Sequence, residues 1–295
     1  MSTHRWSFPQ TIPEVIAASG LISAGGTDLQ SRVNAGLLRE PVVMLRDVPD
    51  LQSIEIVETS LVIGSMVSIS QLAEWLSESL PSEPAQDLHL NGLREAAMGL
   101  ATPAIRRMAT VGGNLFQELR CPYLRGGLDC NHTQGSGCRA QELSGHSFSL
   151  LQSDACAAVH PSTLAMALLA YDAQLLWANT KKQPLLEGLQ QPAGRFCIAI
   201  HIPLVEERVG AWLRFSAREH AEWPQLEGVL TLRADGARLA LGSVGRWPEL
   251  LVAESLAGLH SEAERRFQKT RAAAVLKKRL LKPMISQLIA RAGGP

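Results

Sequence analysis

"SAGGTDL", residues 23–29, and "ATVGGNL", residues 109–115, share one grammar: small residues, a Gly-Gly pair, then a polar side chain at the head of an apolar element. Glycine tolerates positive φ and lets backbone N–H groups approach an anion with no Cβ in the way. Two such turns brought together form a cradle for a pyrophosphate, to which Thr27, Asp28 and Asn114 add side-chain hydrogen bonds. Read singly, each is equally an ordinary tight turn, because Gly-Gly pairs punctuate loops everywhere. Neither fits the single-loop fingerprint G-x-G-x-x-G, so a Rossmann site is not supported.

Working outward from the first turn, "PEVIAAS" reads as a short helix, "LIS" as a strand running into the glycines, and "PVVMLRD" as a second strand. "LVIGSMVS" is a buried strand, "ISQLAEWLSESL" a helix, and "SEPAQDLHLNG" a polar loop. One helical pattern, "LREAAMGLATPAIRRM", leads into the second turn. Beyond it, "HPSTLAMALLAYDAQLLWA" is an alanine-rich helix flowing into a strand, and "LLEGLQQPAGR" is a connecting segment. The texture then changes. "FCIAIHIPL", "AWLRFSAR" and "LEGVLTLRADGARLALGSVG" alternate apolar and polar residues around an Asp-Gly turn, the pattern of an antiparallel sheet. The last forty residues are helical by period and rich in Lys and Arg. The expected class is α+β, with a boundary near residue 185.

Composition bounds the function. The chain has 295 residues, 46% apolar and 19% charged, enough for a sizeable core and for two or three domains. Its formal net charge is zero, so no global field argues for nucleic acid or a membrane surface. No apolar run approaches the length of a membrane span, and "MSTHRWSFPQ" lacks the basic start and long apolar stretch of a secretory signal. The expectation is a soluble chain not exported by a signal of its own. No Ser-His-Asp, paired-carboxylate or P-loop constellation presents itself, so no catalytic residue is assigned and the chemistry is expected to belong to a cofactor.

"AGGTDL" followed some eighty residues later by "ATPAIRRMATVGGNLFQ" resembles the FAD-binding medium subunit of the molybdenum hydroxylases, the family of xanthine dehydrogenase, carbon monoxide dehydrogenase and 4-hydroxybenzoyl-CoA reductase. "PDLQSI", "LVIGSMVSISQLA" and the later "GAWLRFSAREHAEWPQLEGVLTL…ARLALGSVGRWPE" extend the likeness over nearly the whole chain. The resemblance implies a two-subdomain, PCMH-type FAD-binding domain over 1–185, then a C-terminal antiparallel sheet packed with a helical bundle over 186–295. It also implies FAD contacts from Ser23, Ala24, Gly25, Gly26, Thr27, Asp28 and Leu29, and from Thr102, Thr110, Gly112, Gly113, Asn114 and Leu115. Where relatives carry an aspartate in "PSDLA", this chain has Thr163; Arg214, in "WLRFSAR", is the candidate for a basic residue that reaches the FAD from the second domain.

Four of the five cysteines, Cys121-x8-Cys130-x7-Cys138-x17-Cys156, fall within thirty-six residues. An odd total with this distribution disfavours a disulfide scaffold. Four thiolates suit an iron–sulfur cube wrapped by loops, and "PYLRGGLD" and "NHTQGSG" are glycine-rich and polar. Zinc is the rival metal, although no C-x2-C pair is present. Buried-thiol packing is the third reading, and it fits Cys156 and Cys197 better than Cys130 and Cys138. The stretch "RCPYLRGGLDCNHTQGSGCRA…GHSF…SDACAAVHPS" is similar to an insertion, at about 118–158, found in 4-hydroxybenzoyl-CoA reductase and the periplasmic aldehyde oxidoreductases. That likeness implies a [4Fe–4S] cluster on Cys121, Cys130, Cys138 and Cys156, with Cys197 a core residue. His160, before Pro161, is either a neighbour of the cluster or a structural histidine.

As the resemblance has it, the chain is an oxidoreductase subunit. Electrons from a molybdopterin-binding large subunit cross two [2Fe–2S] clusters in a small subunit, reach FAD here and leave to a soluble acceptor. The substrate class expected of the complex is an aldehyde, and the compartment is the cytoplasm, or the periplasm through a signal-bearing partner. Two other classes stay open: an interaction subunit that has lost FAD or cluster, and a stand-alone flavin oxidase.

Overall fold

The computed structural model describes residues 6–38, 40–78, 90–153, 155–218 and 222–293, arranged around three sheets. The polar loop expected at 82–92 falls largely outside the described residues. The first lobe runs β1 (Trp6–Ser7), α1 (Ile12–Ala17), β2 (Leu21–Ser23), α2 (Leu29–Asn34) and β3 (Val42–Met44). Its strands are parallel, in the order β1-β3-β2. Thr11 caps α1 by accepting the Glu14 N–H, and a proline sits in the first turn, where a missing N–H costs nothing. α2 begins just after the glycine turn, so that turn occupies the carboxyl end of β2.

The second lobe contains β4 (Ile54–Val57), β5 (Ser60–Gly64), α3 (Ile69–Glu78), α4 (Asn91–Gly99), α5 (Pro103–Met108), α6 (Val111–Leu115) and α7 (Pro122–Arg125). It continues through α8 (Thr163–Ala170), β6 (Gln174–Trp177), β7 (Lys182–Pro184), α9 (Leu185–Gln190) and β8 (Cys197–Pro203). The sheet is antiparallel, in the order β4-β5-β8-β6-β7. The helical pattern 93–108 breaks into α4 and α5 at Ala101 (φ 50°), because Pro103 disfavours helical backbone in the residue before it and Thr102 serves as a cap. Residues 185–190, read as a connection, close instead into α9. All eight residues of α8 are buried, as an apolar helix without a polar face must be.

β8 is the central strand of this sheet, paired with β5 on one side and β6 on the other. The sheet therefore continues past residue 185, and the change of texture at 194 marks its last strand. The third lobe follows: β9 (Val209–Phe215), β10 (Leu226–Arg233), β11 (Gly236–Gly242), β12 (Glu249–Ala253), α10 (Leu256–Arg266) and α11 (Val275–Arg291). Its four strands form an antiparallel meander in the order β12-β11-β10-β9. Alternation decides its packing. Leu226, Leu230, Leu239 and Leu241 face Leu259, Met284 and Leu288 of the terminal helices, whereas Val229 and Ala240 join the α4 and α8 core. Helices thus cover both faces, and this sheet locks the last lobe onto the second.

Candidate functional site

Folding brings the two glycine segments into contact. A methyl group on Gly25 would stand 1.8 Å from the Met108 carbonyl oxygen, so only glycine lets the first turn back onto the chain entering α6. Gly26, at φ 73°, completes the turn in left-handed backbone. A Cβ on Gly113 would meet Ala24 Cβ at 3.3 Å and Gly25 N at 4.0 Å. Thr110 caps α6 through the Gly113 N–H, which donates to its Oγ1 at 3.0 Å, and the Gly112 N–H donates to the Ser65 carbonyl at 2.8 Å.

These segments wall a cleft of about 610 Å³ at the carboxyl end of β2, the end of a parallel strand where ligands settle. Ser23, Ala24, Gly25, Gly26, Thr27, Asp28 and Leu29 all line it, joined by Thr110, Gly112, Gly113 and Leu115 from the second segment. Trp177, Phe196, His160, Arg246 and Trp247 are among the residues of its other walls. Two lining polar atoms, Ser65 Oγ and His160 Nδ1, are buried with no hydrogen-bond partner among the described residues. Unpaired buried polar atoms cost about 1–3 kcal/mol each. A bound molecule carrying hydroxyl and imide groups relieves that cost. Burial, helped by nearby Arg246 and opposed by a backbone hydrogen bond to Leu115, pulls His160 down to about 3, so its ring is neutral. The glycine cradle, the cleft volume and the orphaned acceptors fit an extended dinucleotide such as FAD.

The other expected contacts have different work. Asn114 does not line the cleft; its Oδ1 accepts from Ser162 Oγ at 2.7 Å and Leu164 N at 3.3 Å, tying α6 to α8. Thr102 caps α5. Thr163 and Arg214 also stand away from the cleft. The Thr163 hydroxyl donates to the buried Glu227 carboxylate, and Arg214 Nη1 donates to the Gly99 carbonyl. The departure at Thr163 therefore belongs to the contact between lobes. Sequence reading missed Ser65, Arg246 and Trp247 as site residues, because nothing in their local spacing marks them.

Residues 118–158 leave the second glycine segment and return to α8. Cys121, Cys138 and Cys156 pack into one group with Leu119, Phe148 and Ala157, and all five cysteines of the chain are unpaired thiols. Burial raises the Cys156 thiol, opposed by the Ala158 N–H at 3.4 Å. Cys130 stands outside this packed group, its N–H donating to Thr133 Oγ1 at 3.0 Å. Among the described residues no three His, Cys, Asp or Glu side chains are placed to hold a single metal ion, so the zinc reading finds no tetrahedral site. Cys197 is a core thiol, pushed up to about 12 by burial.

Two sets of ties hold this segment. Towards the cradle, Asp28 binds Arg125 and Arg120, while Glu118 Oε1 lies 3.0 Å from His132 Nε2, whose Nδ1 meets Arg246 Nη2 at 3.3 Å. Towards the last lobe, the buried Arg271 donates to the carbonyls of Ala140, Gln141, Leu143 and Ser149, and Lys277 donates to those of His146 and Ser243.

Residues 5–204 match the family model described as "FAD binding domain in molybdopterin dehydrogenase". A stretch of 84 residues is 39% identical to the aldehyde oxidoreductase FAD-binding subunit PaoB of Escherichia coli (strain K12), covering 28% of this chain and 26% of that protein. Another, of 95 residues, is 30% identical to the nicotinate dehydrogenase FAD-subunit of Eubacterium barkeri, covering 32% of this chain and 29% of that one. The matched stretches thus span less than a third of either relative. The structure of Cu,Mo-CO dehydrogenase in its cyanide-inactivated form superposes with a TM-score of 0.68 at 19% identity, over 98% of this chain and 97% of that one. Quinoline 2-oxidoreductase from Pseudomonas putida 86 gives 0.67 at 15% identity, over 98% and 96%. At such identities the likeness is one of fold.

Proposed function

The chain belongs to the family of FAD-binding domains of molybdopterin dehydrogenases, and on that footing we propose that it is the flavoprotein subunit of a molybdenum hydroxylase complex, an oxidoreductase that hands electrons to a soluble acceptor. The observation that carries the reading is the meeting of Gly25 and Gly113 in a cleft that holds the orphaned Ser65 Oγ and His160 Nδ1. Gly25, Gly26 and Gly113 offer backbone without side chains to a diphosphate. Ser65 and neutral His160 offer hydrogen-bonding groups to the rest of the coenzyme. Trp177, Phe196 and Trp247 exclude water from the inner wall. Bound FAD supplies a ring that takes up two electrons and releases them singly or in pairs. The test is the flavin content of the purified chain by visible absorbance: one FAD per chain is expected, and a colourless chain that takes up no added FAD overturns the reading.

The partners belong to the same proposal: a large molybdopterin-binding subunit and a small one with two [2Fe–2S] clusters, working on an aldehyde. The segment matched to PaoB supports that substrate class. The cysteine segment is proposed to hold a [4Fe–4S] cluster. What supports it is the four-cysteine segment itself: Cys121, Cys138 and Cys156 pack into one group, Cys130 stands outside it, and no three ligating side chains among the described residues converge on one point, so no step is routed through the cluster. Anaerobic purification should give four iron and four sulfide per chain. Cys138→Ser should remove the iron and leave FAD bound; iron content unchanged by that substitution discards the cluster. The compartment, cytoplasm or periplasm, follows the partners.

A further inference from the structure

A second cavity, of about 580 Å³, opens behind the flavin cleft between residues 149–153, the tail of the cysteine segment, and residues 265–269 at the end of α10. The Leu151–Thr270 bridge ties these two edges. Its remaining wall is Gly245, Arg246 and Trp247, and the last two residues also line the cleft. Arg246 lies over the Trp247 ring at 5.1 Å, and Trp247 stacks on His160 at 5.3 Å, so one layer of side chains separates the two cavities.

The charge of this groove is one-sided. Arg246, Arg265, Arg266 and Lys269 line it, against Glu249 as the one carboxylate among its described lining residues. Arg266 is bound to Glu249 and Arg265 to Glu262. Lys269 makes no ion pair among the described residues, and Arg246 has only the His132 ring as a hydrogen-bonding partner. Among the described residues neither cation has a carboxylate partner, and both stand beside the polar side chains of Gln152, Ser153 and Gln268. Charge-assisted hydrogen bonds from several converging donors are what a multivalent oxyanion takes, and the groove is far larger than a single phosphate. We propose that this groove binds a diphosphate-bearing small molecule, held by Lys269 and Arg246, on the other side of the Arg246–Trp247 wall from the flavin.

The proposal rests on the flavin reading only for what lies beyond that wall; the groove itself stands on its own residues. Inorganic pyrophosphate is titrated calorimetrically into the FAD-saturated chain, where the glycine cradle is already filled. Binding in the sub-millimolar range is expected, weakening with salt as exposed charge contacts do. Lys269→Glu should lower the affinity about tenfold, the worth of one charged contact, with FAD content unchanged. Lys269→Ala, at an exposed residue with no ion pair among the described residues, should lower it in the same direction. Absence of pyrophosphate binding, or binding that ignores both substitutions, overturns the proposal. A chain that takes no FAD yet binds pyrophosphate in a Lys269-dependent way refutes the flavin reading and leaves the groove standing.

Discussion

Asp28 Oδ1 accepts a hydrogen bond from Arg125 Nη2 at 2.7 Å, so the acidic side chain that closes the first glycine turn is held by the opening helix of the cysteine segment. The same carboxylate faces Arg120 at 3.2 Å and accepts the Glu118 N–H at 3.0 Å. Asp28 lines the cleft, but its oxygens are engaged by the protein, and its part is to fix the cradle to the segment beside it. Asp28→Asn keeps the shape and strips the charge from two partly buried arginines. Stability should fall by about 2 kcal/mol, read by denaturant unfolding, and protease sites between residues 118 and 133 should open. An unchanged unfolding midpoint and cleavage pattern would show that this tie carries nothing.

The two glycines of the first turn should behave differently. Gly25→Ala drives a methyl into the Met108 carbonyl, a backbone atom with no room to yield, and should abolish FAD retention. At Gly26 an added Cβ meets nothing within 4 Å, and only the positive φ resists. Gly26→Ala should therefore cost about 1 kcal/mol and keep most of the flavin. Equal loss of flavin absorbance in both variants would contradict a cradle set by close approach.

Buried titratable groups should shape the pH dependence of stability. Burial raises Glu227 to about 7, against the Thr163 hydrogen bond and the charges of Arg214 and Lys277. A carboxyl raised in the fold binds its proton more tightly folded than unfolded, so stability falls as pH rises from 4.5 towards 7. Lys277 is pulled down to about 7 by burial, with Arg271 adding to the effect and Glu227 opposing it. The folded chain there releases its proton before the unfolded chain does, so stability recovers between 7 and 10.5. A neutral amine still has two N–H groups for the two carbonyls that Lys277 meets. Buried, neutral His160 works the other way, adding stability as pH rises from 3 to 6.5, so melting temperatures should not fall between 4.5 and 6.5 and should rise above 7; Glu227→Gln should steepen the acid-side rise.

Arg271 donates to four carbonyls from a site only 6% exposed, and it is the clamp between the cysteine segment and the last lobe. Arg271→Met fills the space and removes the donors. It should cost about 3 kcal/mol and expose residues 139–153 to limited proteolysis. Arg271→Lys should recover only part, since an ammonium has no planar fork. If the methionine variant resists protease like the parent, the segment is held by other contacts.

What the sequence by itself determined is local. Gly-Gly followed by a polar residue fixed the first turn, threonine caps set the helix starts at Thr11, Thr102 and Thr110, the last of which places the second Gly-Gly pair inside α6 rather than in a turn, and side-chain alternation around an Asp-Gly turn set the meander. These are decided within a few residues by φ, capping and side-chain period, and they sufficed for the α+β class. Which strand belongs to which sheet, and which polar side chain serves which neighbour, only the tertiary structure decided. β8 looks like its successors yet pairs with β5 from more than a hundred residues earlier. Asn114, Thr163 and Arg214 carry the right chemistry for a cofactor but spend it on Ser162, Glu227 and Gly99. A buried donor or acceptor must be satisfied by whatever the fold sets beside it, and burial is a property of the folded surface that no stretch of sequence contains.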